Sequence, residues 1–297
     1  MRLALVIVLN LLLTGCALWR SDREEPVELP SERTEKSGPV LKPSEALKPK
    51  SLEIASPITD RFYMRAIYFQ PAVDTQLRLD RNAVTPGTLL NAEQDLGLDD
   101  TINQGRMEFD IRMARRSHMR IDYFKLSRYH EQPLGQPIVF GDFDFPQGTR
   151  FRTKLDWRVL SLTYTYSFLR FERFEAGLGL AAHVIEAQAE GRQPGTTLFE
   201  KTSEVAIFPT LAFNAMVRIT KRFSATLRAQ QFSASPEGLE GSMSDYHLDL
   251  QYRWHKNLAV GLGYTMLETD VKVTDSDNPL FFNMATDGPE LFVRFSF

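Results

Sequence analysis

The sequence predicts an all-β protein, a transmembrane antiparallel up-and-down β-barrel of about ten strands preceded by a disordered tether. Three observations carry that prediction. From residue 60 onward apolar and polar side chains alternate with period two rather than at helical spacing. The segments between alternating runs are short and long in turn. The last residues, Leu291, Val293, Phe295 and Phe297, alternate to the final position.

Composition agrees with this class. Of 297 residues 43% are hydrophobic and 25% charged, and the 21 Phe and 9 Tyr are many for so polar a chain. Mean hydropathy is below zero, which excludes a bundle of apolar helices. A net charge of -3 leaves no nucleic-acid footprint, and the lone cysteine excludes a disulfide framework or a Cys-based zinc finger.

Taken in order, the chain begins with Arg2 and an apolar run from Leu3 to Leu13, interrupted by Asn10. That run is too short to span a bilayer and has the form of a signal-peptide core. It ends in Leu13, Thr14, Gly15 and Cys16, a motif that resembles the lipobox of bacterial lipoproteins. The resemblance implies cleavage before Cys16, acylation of its thiol and new amino group, and sorting by the lipoprotein machinery. Ala17 in place of aspartate implies the outer membrane. Several acyl chains, at about 0.8 kcal/mol per buried methylene, anchor stably.

Residues 17–57 hold six prolines, seven basic and eight acidic side chains without periodicity. Such a segment buries too little to offset its ordering entropy, so it reads as a tether. As a coil it reaches roughly 35 Å; it reads as a passive spacer, with reach to a cell-wall or periplasmic partner as the alternative. The domains expected are 1–15 signal peptide, 16–59 lipidated Cys16 and linker, and 60–297 barrel.

The alternation places strands near 61–79, 104–114, 118–129, 149–168, 174–189, 203–219, 223–234, 244–254, 258–272 and 289–297. Residues 245–254 are the clearest: Tyr246, Leu248, Leu250, Tyr252 and Trp254 on one face, Asp245, His247, Asp249, Gln251 and Arg253 on the other. Short connections lie at 115–117, 170–173, 220–222 and 255–257. Long ones lie at 80–103, 130–148, 190–202, 235–243 and 273–288. Short turns on one end and long loops on the other mark an outer-membrane barrel. Eight or twelve strands fit the same alternation. Within 151–168 the apolar parity is odd to Val159 and even from Leu160. A bulge, or a strand standing above the membrane, accounts for such a slip.

The terminal Leu291, Val293, Phe295 and Phe297 resemble the signal read by the barrel-assembly machinery. The whole of 60–297 resembles small, porin-like bacterial outer-membrane barrels. That resemblance implies an outer-membrane location, contact with membrane lipid and lipopolysaccharide, and no cofactor.

The inward face is rich in charge, including Arg106, Glu108, Asp110, Arg112, Arg120, Asp122, Arg218, Arg228, Asp249, Arg253 and Arg294. Buried charges persist when paired, so the lumen is expected to be closed by ion pairs. The glycines of 177–179 and 261–263 are expected to face inward and relieve crowding. The leading expectation is a structural or interaction role without catalysis. A rim hydrolase, protease or lipid A-modifying, and a narrow channel are the alternatives.

Catalytic candidates are His247 with Asp245 and Asp249, spaced i, i+2, i+4 on one inward face and expected near the outer rim. Omptin proteases place Asp and His at the rim of ten-stranded barrels, but no omptin residue is carried over to this chain. His118 and His255 are expected to be solvated at short turns, and His183 to be a satisfied lumen histidine. The acidic loop from Glu93 to Asp100, with Asp142 and Asp144, lacks calcium-loop spacing and reads as solvated charge, with no metal site.

Overall fold

The computed structural model describes residues 56–82, 84–197, 199–235, 238–274 and 279–297. Leu13, Thr14, Gly15 and Cys16 lie outside the described residues, so the signal and lipidation expectations are not addressed by it.

Among the described residues every long element is a strand. The chain forms β1 (Phe62–Phe69), β2 (Ala72–Leu79), the short β3 (Leu90–Asn91), β4 (Gln104–Ala114) and β5 (Ser117–Pro133). A small hairpin follows, β6 (Ile138–Phe140) and β7 (Phe143–Phe145), then β8 (Arg150–Arg170) and β9 (Phe174–Arg192). The wall is completed by β10 (Phe199–Arg218), β11 (Phe223–Ala234), β12 (Leu239–His255), β13 (Leu258–Val273) and β14 (Leu280–Ser296).

All wall pairings are antiparallel between sequence neighbours, and β14 returns to β1 with Tyr63 opposite Ser296. β1 and β2 occupy one position, since both pair with β14, so the ring holds ten strands. Pro71, which has no N–H to offer, lies between the two halves. Gly288 lies against that break, where a Cβ would come within 2.3 Å of the Gln70 carbonyl oxygen.

The phase slip in the 151–168 run is an inversion of polarity, and the ladder runs through it without a bulge. In β8 the odd positions point inward from Phe151 to Ser167, and a register shift follows between Ser167 and Leu169. From Ser161 to Ser167 they are polar, while Leu160, Leu162, Tyr164, Tyr166 and Phe168 are exposed outside. From Phe151 to Val159 the inward side chains are apolar apart from Thr153, and Arg152, Lys154 and Arg158 face out. β5 changes over between Tyr123 and Lys125, and β13 between Met266 and Glu268. The barrel therefore has two zones. Toward the short turns it is apolar outside and charged inside. Toward the long loops it is polar outside around an apolar core.

This inversion explains why several strands outrun the expected bounds. β12 begins at Leu239 and β14 at Leu280, inside segments expected to be loops. The outward apolar signal ends at the changeover, whereas the hydrogen-bond ladder continues. The upper core is capped by the connections, with Leu90, Leu96, Leu98, Ile138, Phe140 and Phe145 packed on Leu77, Phe151 and Leu155.

At the opposite end, Ser56, Pro57 and Ile58 are buried, and Ile58 accepts a hydrogen bond from Arg112. Residues expected to end the linker thus close the lower mouth. The buried carbonyls of this turn find guanidinium partners there.

Candidate functional site: the charged layer of the lumen

In the lower zone, inward parity on facing strands brings charges together. Glu108 of β4, fully buried, receives the Arg228 guanidinium of β11 and the Tyr63 hydroxyl at 2.8 Å. Arg65 reaches Asp249 at 3.1 Å, Glu290 at 3.4 Å and Glu108 at 3.6 Å. Its guanidinium carbon lies 3.6 Å above the Phe292 ring. Gly261 makes room for that ring, because a Cβ there would come within 2.2 Å of Phe292 Cζ. Arg106 grips both carboxylate oxygens of Asp122 through Nε, at 2.8 and 2.9 Å. Charges taken from water survive only with such close opposite partners.

A second layer lies nearer the short turns. Asp60 receives Arg253 at 3.1 Å and Arg294 at 2.9 Å. Arg112 meets both oxygens of Glu175 at 3.1 Å. The Phe295 and Phe297 side chains of the terminal run face outward, and the Phe297 backbone pairs with Phe62.

The structure brings Asp245 and His247 together but away from the rim. His247 Nε2 lies 2.8 Å from Asp245 Oδ1 and 3.1 Å from Arg106 Nη2. Thr265 donates to Glu290 and meets His247 Nδ1 at 2.9 Å, so Nδ1 donates to the Thr265 hydroxyl oxygen. Asp249 belongs instead to Arg65. Along β12 the pair is bracketed by Met243 of the apolar core above and the Arg65 layer below. His247 is 2% exposed. The expectation of a rim position is corrected: β12 continues past Asp245 to Leu239, which leaves the pair in mid-wall.

Two other expectations for polar side chains change. His118 is held between Asp110 and Glu175, each at 3.2 Å, and is not a solvated turn residue. Glu93 of the acidic loop is half-buried, pairs with Arg128 and accepts the Thr75 N–H at 2.9 Å. Asp144 pairs with Arg81 at 3.0 Å. His183 meets its expectation, bridging Ser161 and Gln230 at 2.6 Å each.

Sequence parity missed Arg65 and Glu290. Glu290 was legible, because Leu291 and Val293 outside imply Glu290 and Phe292 inside. The apolar Phe292 on the inward face blurred the pattern, yet it is the platform under Arg65.

No protein-family model matches the chain, and no curated protein matches it. Solved structures do. The outer membrane protease OmpT from Escherichia coli matches at 9% identity over 79% of this chain and 97% of its own, with a TM-score of 0.42. The outer membrane protein OprG from Pseudomonas aeruginosa matches at 10% over 80% and 95%, TM-score 0.36. Ail, the attachment invasion locus protein of Yersinia pestis, matches at 10% over 77% and 99%, TM-score 0.28. Similarity at this level does not reach residue roles, so function rests on the chain's own side chains.

Proposed function

We propose that this chain is an outer-membrane lipoprotein whose barrel spans the bilayer as a closed cylinder. It acts as a structural or interaction module, through the capped long-loop end that faces lipopolysaccharide and through the tether on the opposite side. The observation that carries this reading is the lower zone. Its outward apolar stretches, such as 160–168 in β8 and 246–254 in β12, match the roughly 9–11 tilted residues that cross a hydrocarbon core. Ion pairs fill the interior at the same height.

Both barrel ends lie on the short-turn side, where β1 begins and β14 finishes. That favours a periplasmic start for the tether and for an anchor at Cys16. Barrel-assembly and lipoprotein-sorting machinery are the partners this route requires.

The test is reconstitution. The barrel should show heat-modifiable mobility on gels and remain silent in planar bilayers, while Cys16→Ala abolishes palmitate labelling. Discrete conductance steps would overturn the closed lumen. Persistent labelling would remove the anchor. Altered peptide cleavage or lipid A composition on His247→Ala would restore the hydrolase alternative.

A further inference from the structure

One stretch of the wall is incomplete. β10 pairs with β9 from Val217 up to Phe199, but its ladder with β11 ends at Leu211 opposite Gln231. Above that point Phe232, Ser233 and Ala234 of β11 pair only with β12. Pro209, two residues past the last pair, has no N–H for a ladder, which suits an edge. Side chains alone close the slot. The rings of Phe208 and Phe232 meet edge to face across it at 5.8 Å. Outside, Val205 is 53% exposed, although its β9 neighbour at that height is Glu186. The slot therefore opens at the edge of the apolar belt.

Phe208 also lines a cavity of about 70 Å³, together with Trp157, Ile185, Ala206, Phe282 and Met284. Three of the residues that line it carry a buried donor, Trp157 Nε1, Thr269 Oγ1 and Arg128 Nε, and Thr75, Asp156, Gln188, Thr202 and Glu204 line it as well. None of the three donors finds a hydrogen-bond partner among the described residues, and all three side chains are buried. Unpartnered buried donors are costly, and three around one largely apolar cavity, carried by β5, β8 and β13, call for a ligand that offers acceptors.

We infer that the slot is a lateral doorway from the membrane and that the cavity binds a fatty-acyl carbonyl. The carbonyl oxygen takes hydrogen bonds from the three donors, and the chain trails between Phe208 and Phe232 into the bilayer. The side of entry rests on the membrane-spanning reading above; the cavity and its donors do not.

The test uses the full chain in nanodiscs with Trp157 as sole fluorophore, by Trp19→Phe and Trp254→Phe. One arm adds 2-bromododecanoic acid, and a second builds the disc with phosphatidylethanolamine acylated by the same bromo acid. Saturable quenching of Trp157 in the first arm identifies a free acid, and quenching in the second identifies a membrane lipid. 1-Bromododecane, which has no carbonyl, should bind about tenfold more weakly. Ala206→Phe should abolish saturation by filling the cavity, and Thr269→Val should weaken binding about fivefold. Heat-modifiable mobility is scored for each variant. If it is lost in the parent protein, the membrane reading falls. Where it is retained, absence of quenching in both arms, or equal quenching by 1-bromododecane, overturns the acyl site alone. Should Ala206→Phe fail to fold, Thr269→Val decides.

Discussion

Glu108 and Arg228 stand on strands five places apart in a ring of ten, and their side chains meet across the lumen. A contact across the diameter leaves no open bore at that height. Arg65 adds a third strand to the same knot, and Tyr63 hydrogen-bonds the carboxylate from its own position.

Breaking the knot on one side should cost far more than removing it. Glu108→Gln leaves two buried guanidinium groups short of charge and should destabilise the barrel by about 3–5 kcal/mol. Adding Arg228→Met should recover part of that loss. Denaturant unfolding in lipid vesicles reads both, and strict additivity of the two effects would contradict the coupling.

Gly261→Val should be nearly as disruptive as a charge deletion. Its Cβ would collide with Phe292 and lie 2.7 Å from the Leu250 carbonyl oxygen. We expect a loss of about 1–3 kcal/mol from overpacking, with Phe292 displaced from beneath Arg65. Unfolding midpoints of Gly261→Ala and Gly261→Val should fall in that order.

Access to the histidines should divide by burial. His247 is 2% exposed and His183 1%, whereas His255 is exposed at a short turn. Diethyl pyrocarbonate, followed by peptide mass mapping, should modify His255 in the folded barrel and spare the other two until unfolding. Early modification of His247 would reveal a path that the hydrolase alternative requires.

The polarity inversion predicts a labelling boundary within one strand. In a Cys16→Ser background, single cysteines at Lys154 and Arg158 should react with a water-soluble maleimide in liposomes. Cysteines at Leu162 and Tyr166, on the same outward face of β8, should not. Uniform reactivity along the strand would place all of β8 in water.

How much of this was legible depends on which physics each residue reports. Period-two alternation fixes which residues share a face, so ten strands and most inward charges could be read from Tyr246 to Trp254 and from Arg106 to Met113. It does not say which face is inside. Lys154 and Leu162 lie on the same outward face of β8, and only the closed ring assigns that face to water in one zone and to an apolar belt in the other. Pairing across the lumen was likewise out of reach, since Glu108 and Arg228 are 120 positions apart. Their meeting is set by ring closure. Asp245 and His247 illustrate the limit: the sequence places them two apart on one face, and the continuation of β12 to Leu239 removes them from the rim. Local chemistry is written in the order of the residues. Which charges become partners, and where the wall is left unpaired beside Pro209, follows from closing ten strands into one cylinder.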